Sequence, residues 1–221
     1  EQFIAHKVKS LLDERVRRVD IGSPMVGHAV ALSLLGIAGT GAFVVAKRRI
    51  ERGDDIVEPA YPEPPTSSQV TAGPGSTVAF DTIGKEGRRF VLMALTAGEI
   101  SAVMNEPAQD PIRIVGGYEA APTTEERAQV CFREMESIGA FDRSLICIAS
   151  PTGVGYVSYT FVESLEYLTR GDCATVIPQY ALVPSAMALF DTADGVALQR
   201  RVLELARDRI AQLPPDRRPK L

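Results

Sequence analysis

The residues here whose types and spacing best suit chemistry are Ser150-Pro151-Thr152-Gly153-Val154-Gly155. They leave an apolar stretch, Leu145-Ile146-Cys147-Ile148-Ala149, that reads as a buried strand. A glycine-bearing turn at the carboxyl end of such a strand exposes backbone amides to an anion, either the oxyanion of an acyl transfer or a phosphate. As a phosphate loop it is weak, because it lacks a third glycine and no lysine follows. The bland reading is a tight turn that only returns the chain. No Gly-x-Ser-x-Gly nucleophile turn occurs, and the two histidines are His6 and His28, so residues 29–221 cannot assemble a Ser-His-Asp or Cys-His arrangement by themselves. Asp142, Asp172, Asp191 and Asp194 fall at element ends, where solvated carboxylates and caps are common, and receive no catalytic role.

The elements around this turn alternate. Arg89 to Leu95 reads as a strand, and Thr96 to Met104 as a helix opened by Thr96 with Glu99 three residues on. Pro111 precedes a second strand, Ile112-Arg113-Ile114-Val115, closed by Gly116-Gly117. Pro122-Thr123-Thr124-Glu125-Glu126 has the form of a capping box, and its helix should run to about Ile138, where Gly139 stops it. After the third strand and the turn, Tyr159 to Leu168 is helical up to Gly171. Cys173 to Tyr180 is a fourth strand, broken near Pro178. Val196 to Leu213 forms an amphipathic helix with Val196, Leu203, Ile210, Val202, Leu205 and Ala206 inward. This order specifies an α/β fold, a mostly parallel sheet between helical layers. The basic, proline-bounded piece Asp216 to Leu221 approaches one more strand, so the sheet is expected to be incomplete at its carboxyl end.

The amino-terminal quarter is different. Met25 to Ala46 is a run of 22 residues without Asp, Glu, Lys or Arg, flanked by basic residues, and about 20 suffice to span a bilayer as a helix. Four glycines at 27, 36, 39 and 41 favour close packing against other helices. The expected organisation is a basic amphipathic segment over 1–24, a transmembrane helix over 25–46, a Pro/Gly/Ser-rich linker over 47–76 and an α/β domain over 77–221.

A net charge of -4 and a pI near 5.3 argue against nucleic acid as a partner, since phosphate contacts need clustered Lys and Arg. The spacing of Cys131, Cys147 and Cys173 fits neither a zinc site nor a disulfide framework, so no metal is expected and all three read as core residues.

Residues 73–221 resemble the actinobacterial family of membrane-bound α/β-hydrolases, and the last membrane helix does so more loosely. The resemblance is carried by Gly87-Arg88-Arg89-Phe90-Val91, Asp110-Pro111-Ile112-Arg113, Ala121 to Arg127, Gly139-Ala140-Phe141-Asp142-Arg143, Ser150-Pro151-Thr152-Gly153, Glu166 to Asp172, and Gln179-Tyr180 with Pro184-Ser185. Relatives usually complete the Ser-Pro-Thr-Gly turn with tryptophan, where this chain has Tyr156. The resemblance implies several N-terminal membrane helices, an α/β-hydrolase sheet, no cofactor and an oxyanion loop over Ser150 to Gly155. It also implies a substrate pocket near Tyr156, Gln179 and Tyr180. Nucleophile, acid and histidine would follow a segment like Arg218-Pro219-Lys220-Leu221, outside this chain.

The function expected is a cell-membrane serine esterase or lipase-like hydrolase of lipid or cell-envelope esters, with these residues inactive alone. Expected partners are membrane lipid, other transmembrane helices, or a chain supplying further strands. The alternatives are a non-catalytic membrane-anchored scaffold and a phosphate binder built on Gly153 and Gly155.

Overall fold

A computed structural model describes residues 24–54, 61, 63–183 and 188–221. Contacts divide the chain at Arg48/Arg49 into two units. Residues 1–23 of the basic segment expected over 1–24, Pro59 and Pro62 of the linker, and Pro184-Ser185 lie outside the described residues.

Helix α1 spans Pro24–Asp54. It covers the whole uncharged run and continues into the charged residues after it, so the linker does not begin at residue 47. Leu32, Leu34, Leu35 and Ile37 are all exposed on it. Among the described residues, no helix is long and apolar enough to cross a membrane. The side chains of residues 24–31, which open the run, lie outside them.

The second unit is a three-layer αβα sandwich. Strands β1 (Ile112–Gly116), β2 (Leu145–Ile148) and β3 (Cys173–Pro178) form a parallel sheet in the order β1-β3-β2. β3 is buried along its whole length, which is why its sequence does not alternate. The period-2 geometry of a strand still sorts its side chains by face. Ile112, Ile114, Ile146, Ala174 and Val176 meet helix α4 (Thr124–Ser137), through Ala128, Cys131 and Met135, and helix α6 (Thr192–Gln212), through Leu198, Val202 and Ala206. On the other face, Val115 and Ile177 meet Phe90 and Val91 of α2 (Lys85–Leu92) and Val162 of α5 (Tyr159–Thr169). Helix α3 (Ala97–Met104) packs beside α5.

The capping boxes expected at Thr96 and Thr123 are both present. Gly139 ends the α4 region in the left-handed conformation expected of a stop.

Three expectations are corrected. Arg89 to Leu95 is not a strand: it overlaps α2, whose Glu86 and Arg89 pair across one turn at 3.1 Å while Phe90 and Val91 enter the core. The sheet therefore has three strands among the described residues. Residues 69–76 are not linker. Val70 bridges Arg113 in parallel, Thr71 N donates to Arg113 O at 3.0 Å, and Val70 and Val78 are buried. On α6, Val196 is 61 % exposed and Leu203 37 %, because the stripe that faces the sheet is Leu198-Val202-Ala206.

At the carboxyl end of the chain, Lys220 pairs in parallel with Leu145, and Ile146 N donates to Lys220 O at 2.8 Å. The segment around Lys220 thus lies against the free edge of β2. Arg218 holds it there by donating to Leu213 O and Ala211 O at the end of α6, at 2.9 and 3.0 Å.

Candidate functional site

In a parallel sheet all carboxyl ends share one edge, and functional groups gather there. Here that edge brings together Gly116-Gly117 after β1, the Ser150–Gly155 turn after β2, and Gln179-Tyr180 after β3. Ala149 N still donates to Val176 O at 2.9 Å, so pairing continues one residue past β2. The chain then closes on itself: Gly155 N donates to Thr152 O at 2.9 Å and Thr152 N to Tyr156 O at 2.8 Å.

Glycine is required at position 155 for two reasons. Its φ is +91°, which costs an L side chain of order 1 kcal/mol or more, and an added Cβ would stand 2.7 Å from Gln179 Nε2. The expectation that both glycines present their amides is half corrected, because the Gly155 amide is used inside the turn. The amides of Gly153 and Val154 have no acceptor among the described residues. Beside them, the Thr152 hydroxyl oxygen is buried without a hydrogen-bond partner. Ser150 is exposed and Pro151 buried.

Gln179 is fully buried, and every polar group of its side chain is engaged. Its Nε2 donates to Val154 O at 3.2 Å, its Oε1 accepts from Gly84 N at 3.4 Å, and its own N donates to Gly116 O at 2.9 Å. These bonds make it a pin joining the ends of all three strands to the start of α2. Tyr156 is at the surface, edge-on to Tyr159 with ring centroids 5.7 Å apart. Burial pushes the Tyr159 hydroxyl well above the usual tyrosine range. Tyr180 is half-buried against Ala181, Val183 and Ala188 and lies across Gly195 of α6. The structure thus brings the turn, Gln179 and the Tyr156 backbone together, while the Tyr156 ring lies on Tyr159 and Tyr180 packs against Ala181, Val183 and Ala188.

Two of the carboxylates given no role hold structural contacts. Asp172 Oδ1 accepts from Ser144 N at 3.0 Å, and Asp142 pairs with Arg217 at 3.0 Å. Both line a cleft of about 440 Å³ at the opposite, amino-terminal end of the sheet. Among the described residues no group of His, Cys, Asp and Glu could hold a metal. Burial pushes the Cys131 thiol up to about 12 and Cys173 to about 11, leaving them protonated and unreactive at neutral pH.

Sequence reading missed Gly84 and the pinning role of Gln179. No local signal marks a contact between residues 95 positions apart.

Residues 112–221 match the family model described as the alpha/beta-hydrolase family, and residues 2–94 match the model of that family's N-terminus. No curated protein and no solved structure matches the chain significantly.

Proposed function

Because the chain belongs to the α/β-hydrolase family, we propose that it contributes the oxyanion loop of a membrane-anchored serine hydrolase acting on lipid or cell-envelope esters. The observation that carries this reading is the Ser150–Gly155 turn, at the carboxyl edge of the sheet, with no acceptor for the Gly153 and Val154 amides among the described residues. In acyl transfer a serine oxygen bonds to the ester carbonyl carbon, and the carbonyl electron pair moves onto oxygen. Hydrolases of this architecture stabilise that oxygen with one amide next to the nucleophile and a second from a strand-to-helix loop, and each donor is worth about 10²–10³ in rate.

On this reading the nucleophile comes to the free edge of β2, where Lys220 pairs with Leu145. The next position along that edge neighbours the turn, as an oxyanion loop requires. The absence of histidine after His28 fits a centre completed by residues other than these. The membrane setting is supported by the uncharged run from Met25 to Ala46 and by the exposed leucines of α1. An ester whose alcohol or acyl part is held in the bilayer then follows as substrate.

A fluorophosphonate probe tests the reading. Residues 1–221 alone should stay unlabelled, and a protein extended past Leu221 should be labelled and should hydrolyse a short-chain ester. Labelling of residues 1–221, or an extended protein inert to both probe and ester, overturns it.

A further inference from the structure

The Ser150–Gly155 turn is closed by bonds between its own residues and the one that follows, Gly155 N to Thr152 O and Thr152 N to Tyr156 O. Such bonds fix where a turn begins and ends. They do not fix its central peptide, which faces opposite ways in type I and type II turns while the closing bond is kept. Gly153, at the centre, adds freedom of its own. An oxyanion loop, however, lowers a barrier only as far as its donors are oriented before the charge forms. A site on a loop therefore needs support from outside the loop.

Among the described residues, one hydrogen bond reaches the middle of this turn from outside it: Gln179 Nε2 donates to Val154 O at 3.2 Å. Gln179 is fully excluded from solvent, and its backbone is fixed by the bond from its N to Gly116 O at 2.9 Å. Its carboxamide can face one way only. Oε1 accepts from Gly84 N at 3.4 Å while Nε2 donates to Val154 O, and an exchanged amide would set oxygen against oxygen and N–H against N–H. The turn is also shaped to receive it. Gly155, at a φ of +91°, leaves the space that Nε2 occupies, since a Cβ there would stand 2.7 Å from it. The residue gripped, Val154, carries one of the two amides without an acceptor and follows the other.

We propose that Gln179 is a positioning residue of the oxyanion loop. By holding Val154 O it keeps the Gly153 and Val154 amides in one orientation, so that no reorganisation is left for the moment when the ester carbonyl electron pair moves onto oxygen. The loop is thereby referred to the end of β1 and the start of α2, and not to β2 alone. This role rests on the hydrolase reading and adds to it a group that never touches the substrate.

The test uses the protein extended past Leu221 with a short-chain ester, and residues 1–221 for the turn itself. In the extended protein Gln179→Met, similar in volume but without donor or acceptor, should lower kcat by about tenfold or more, short of the 10²–10³ lost with an oxyanion donor itself, and leave KM within about twofold. Glu134→Gln, which loosens a different part of the domain, should leave kcat unchanged. Gln179→Glu keeps the shape and, once its carboxyl is protonated, both bonds. Its kcat relative to wild type should therefore rise as the pH is lowered over the range where both proteins are folded, and this variant decides if Gln179→Met does not fold. In residues 1–221, amide hydrogen exchange at Gly155 should quicken by about tenfold or more in Gln179→Met, with that at Ile146 unchanged.

An active wild type with unchanged kcat in the Gln179 variants, a loss confined to KM, or unchanged exchange at Gly155 overturns the role of Gln179 and leaves the hydrolase reading standing. An extended wild type inert to the ester overturns that reading and the role with it.

Discussion

Two carboxylates, Glu166 and Glu134, are both fully excluded from solvent, and the protein answers them in opposite ways. Glu166 on α5 is met by the guanidinium of Arg113, so the pair is neutral and ties β1 and α5 to the Phe90 carbonyl of α2. Glu134 on α4 is met by neutral donors: Ser76 Oγ at 2.6 Å, Thr77 N at 2.7 Å and Thr77 Oγ1 at 2.7 Å. One contact cancels charge between regular elements. The other uses an uncancelled charge to hold a segment without regular structure, residues 69–78, onto the sandwich. Coulomb attraction fixes elements that already have hydrogen-bonded backbones. Donor count fixes a segment whose own backbone is only partly paired.

Breaking the first contact should have the largest effect. Arg113→Met strands Glu166 in the core, and removal of one partner from a buried pair costs about 3–5 kcal/mol. Urea unfolding should show that loss, and Glu166→Leu added to Arg113→Met should recover much of it, because an apolar pair of similar volume needs no desolvation. A double variant as unstable as the single one would mean that the lost Phe90 carbonyl contact, and not the stranded charge, sets the cost.

Glu134→Gln should cost about 1–3 kcal/mol, since one acceptor oxygen becomes a donor facing hydroxyl and amide donors. The damage should be local. Limited proteolysis should cut residues 69–78 faster in this variant, while Arg113→Met should leave their cutting relative to the rest of the domain unchanged. Equal sensitivity in the two variants would remove the distinction drawn between them.

The turn after β2 extends the comparison to a contact with no charge at all. Gly155→Ala places a methyl group against Gln179 at a φ of +91°, and about 1–2 kcal/mol should be lost. Gln179→Ala added to it relieves the collision but not the backbone strain, so recovery should be partial. Full recovery would show that the conformation of Gly155 costs little.

These contacts also mark where the sequence was legible. The capping boxes at Thr96 and Thr123 were readable because both partners lie within one turn, and β3 was readable because burial on both faces leaves an unbroken apolar run. Helix α2 was not: Phe90-Val91-Leu92 is too short to show a period, and its helical state is fixed by packing beneath Val115 and Ile177. Residues 69–76 have the composition of a linker, and contacts with residues more than forty positions away, the bridge of Val70 to Arg113 and the reach of Glu134 to Ser76 among them, make them part of the domain. The site divides the same way. Its turn was visible in the glycines that follow β2, whereas Gln179 has no distinguishing neighbour in sequence and is recognisable only through what it holds.

The smallest effect belongs to the exposed counterpart of the Glu134 contact. Glu99 grips Thr96 N and Oγ1 at 2.8 Å each, as Glu134 grips Thr77, but in water. The backbone amide of Thr96, and then its hydroxyl, hold the Glu99 carboxyl below the usual carboxylate range. A depressed folded-state value means that the contact stabilises the fold above the ordinary glutamate range, and that this stability drains away as pH falls below about 4.5 toward the folded value. Glu99→Gln removes the charge at every pH and should cost about 0.5–1 kcal/mol at pH 7, the range of an exposed helix cap. Urea midpoints of the variant and the wild type should differ at pH 7 and draw together as the pH falls below the ordinary glutamate range and the Glu99 charge is lost. A difference that stayed constant over that interval would mean that the shape of the capping box, and not its charge, carries the contact, and the likeness between Glu99 and Glu134 would then end at geometry.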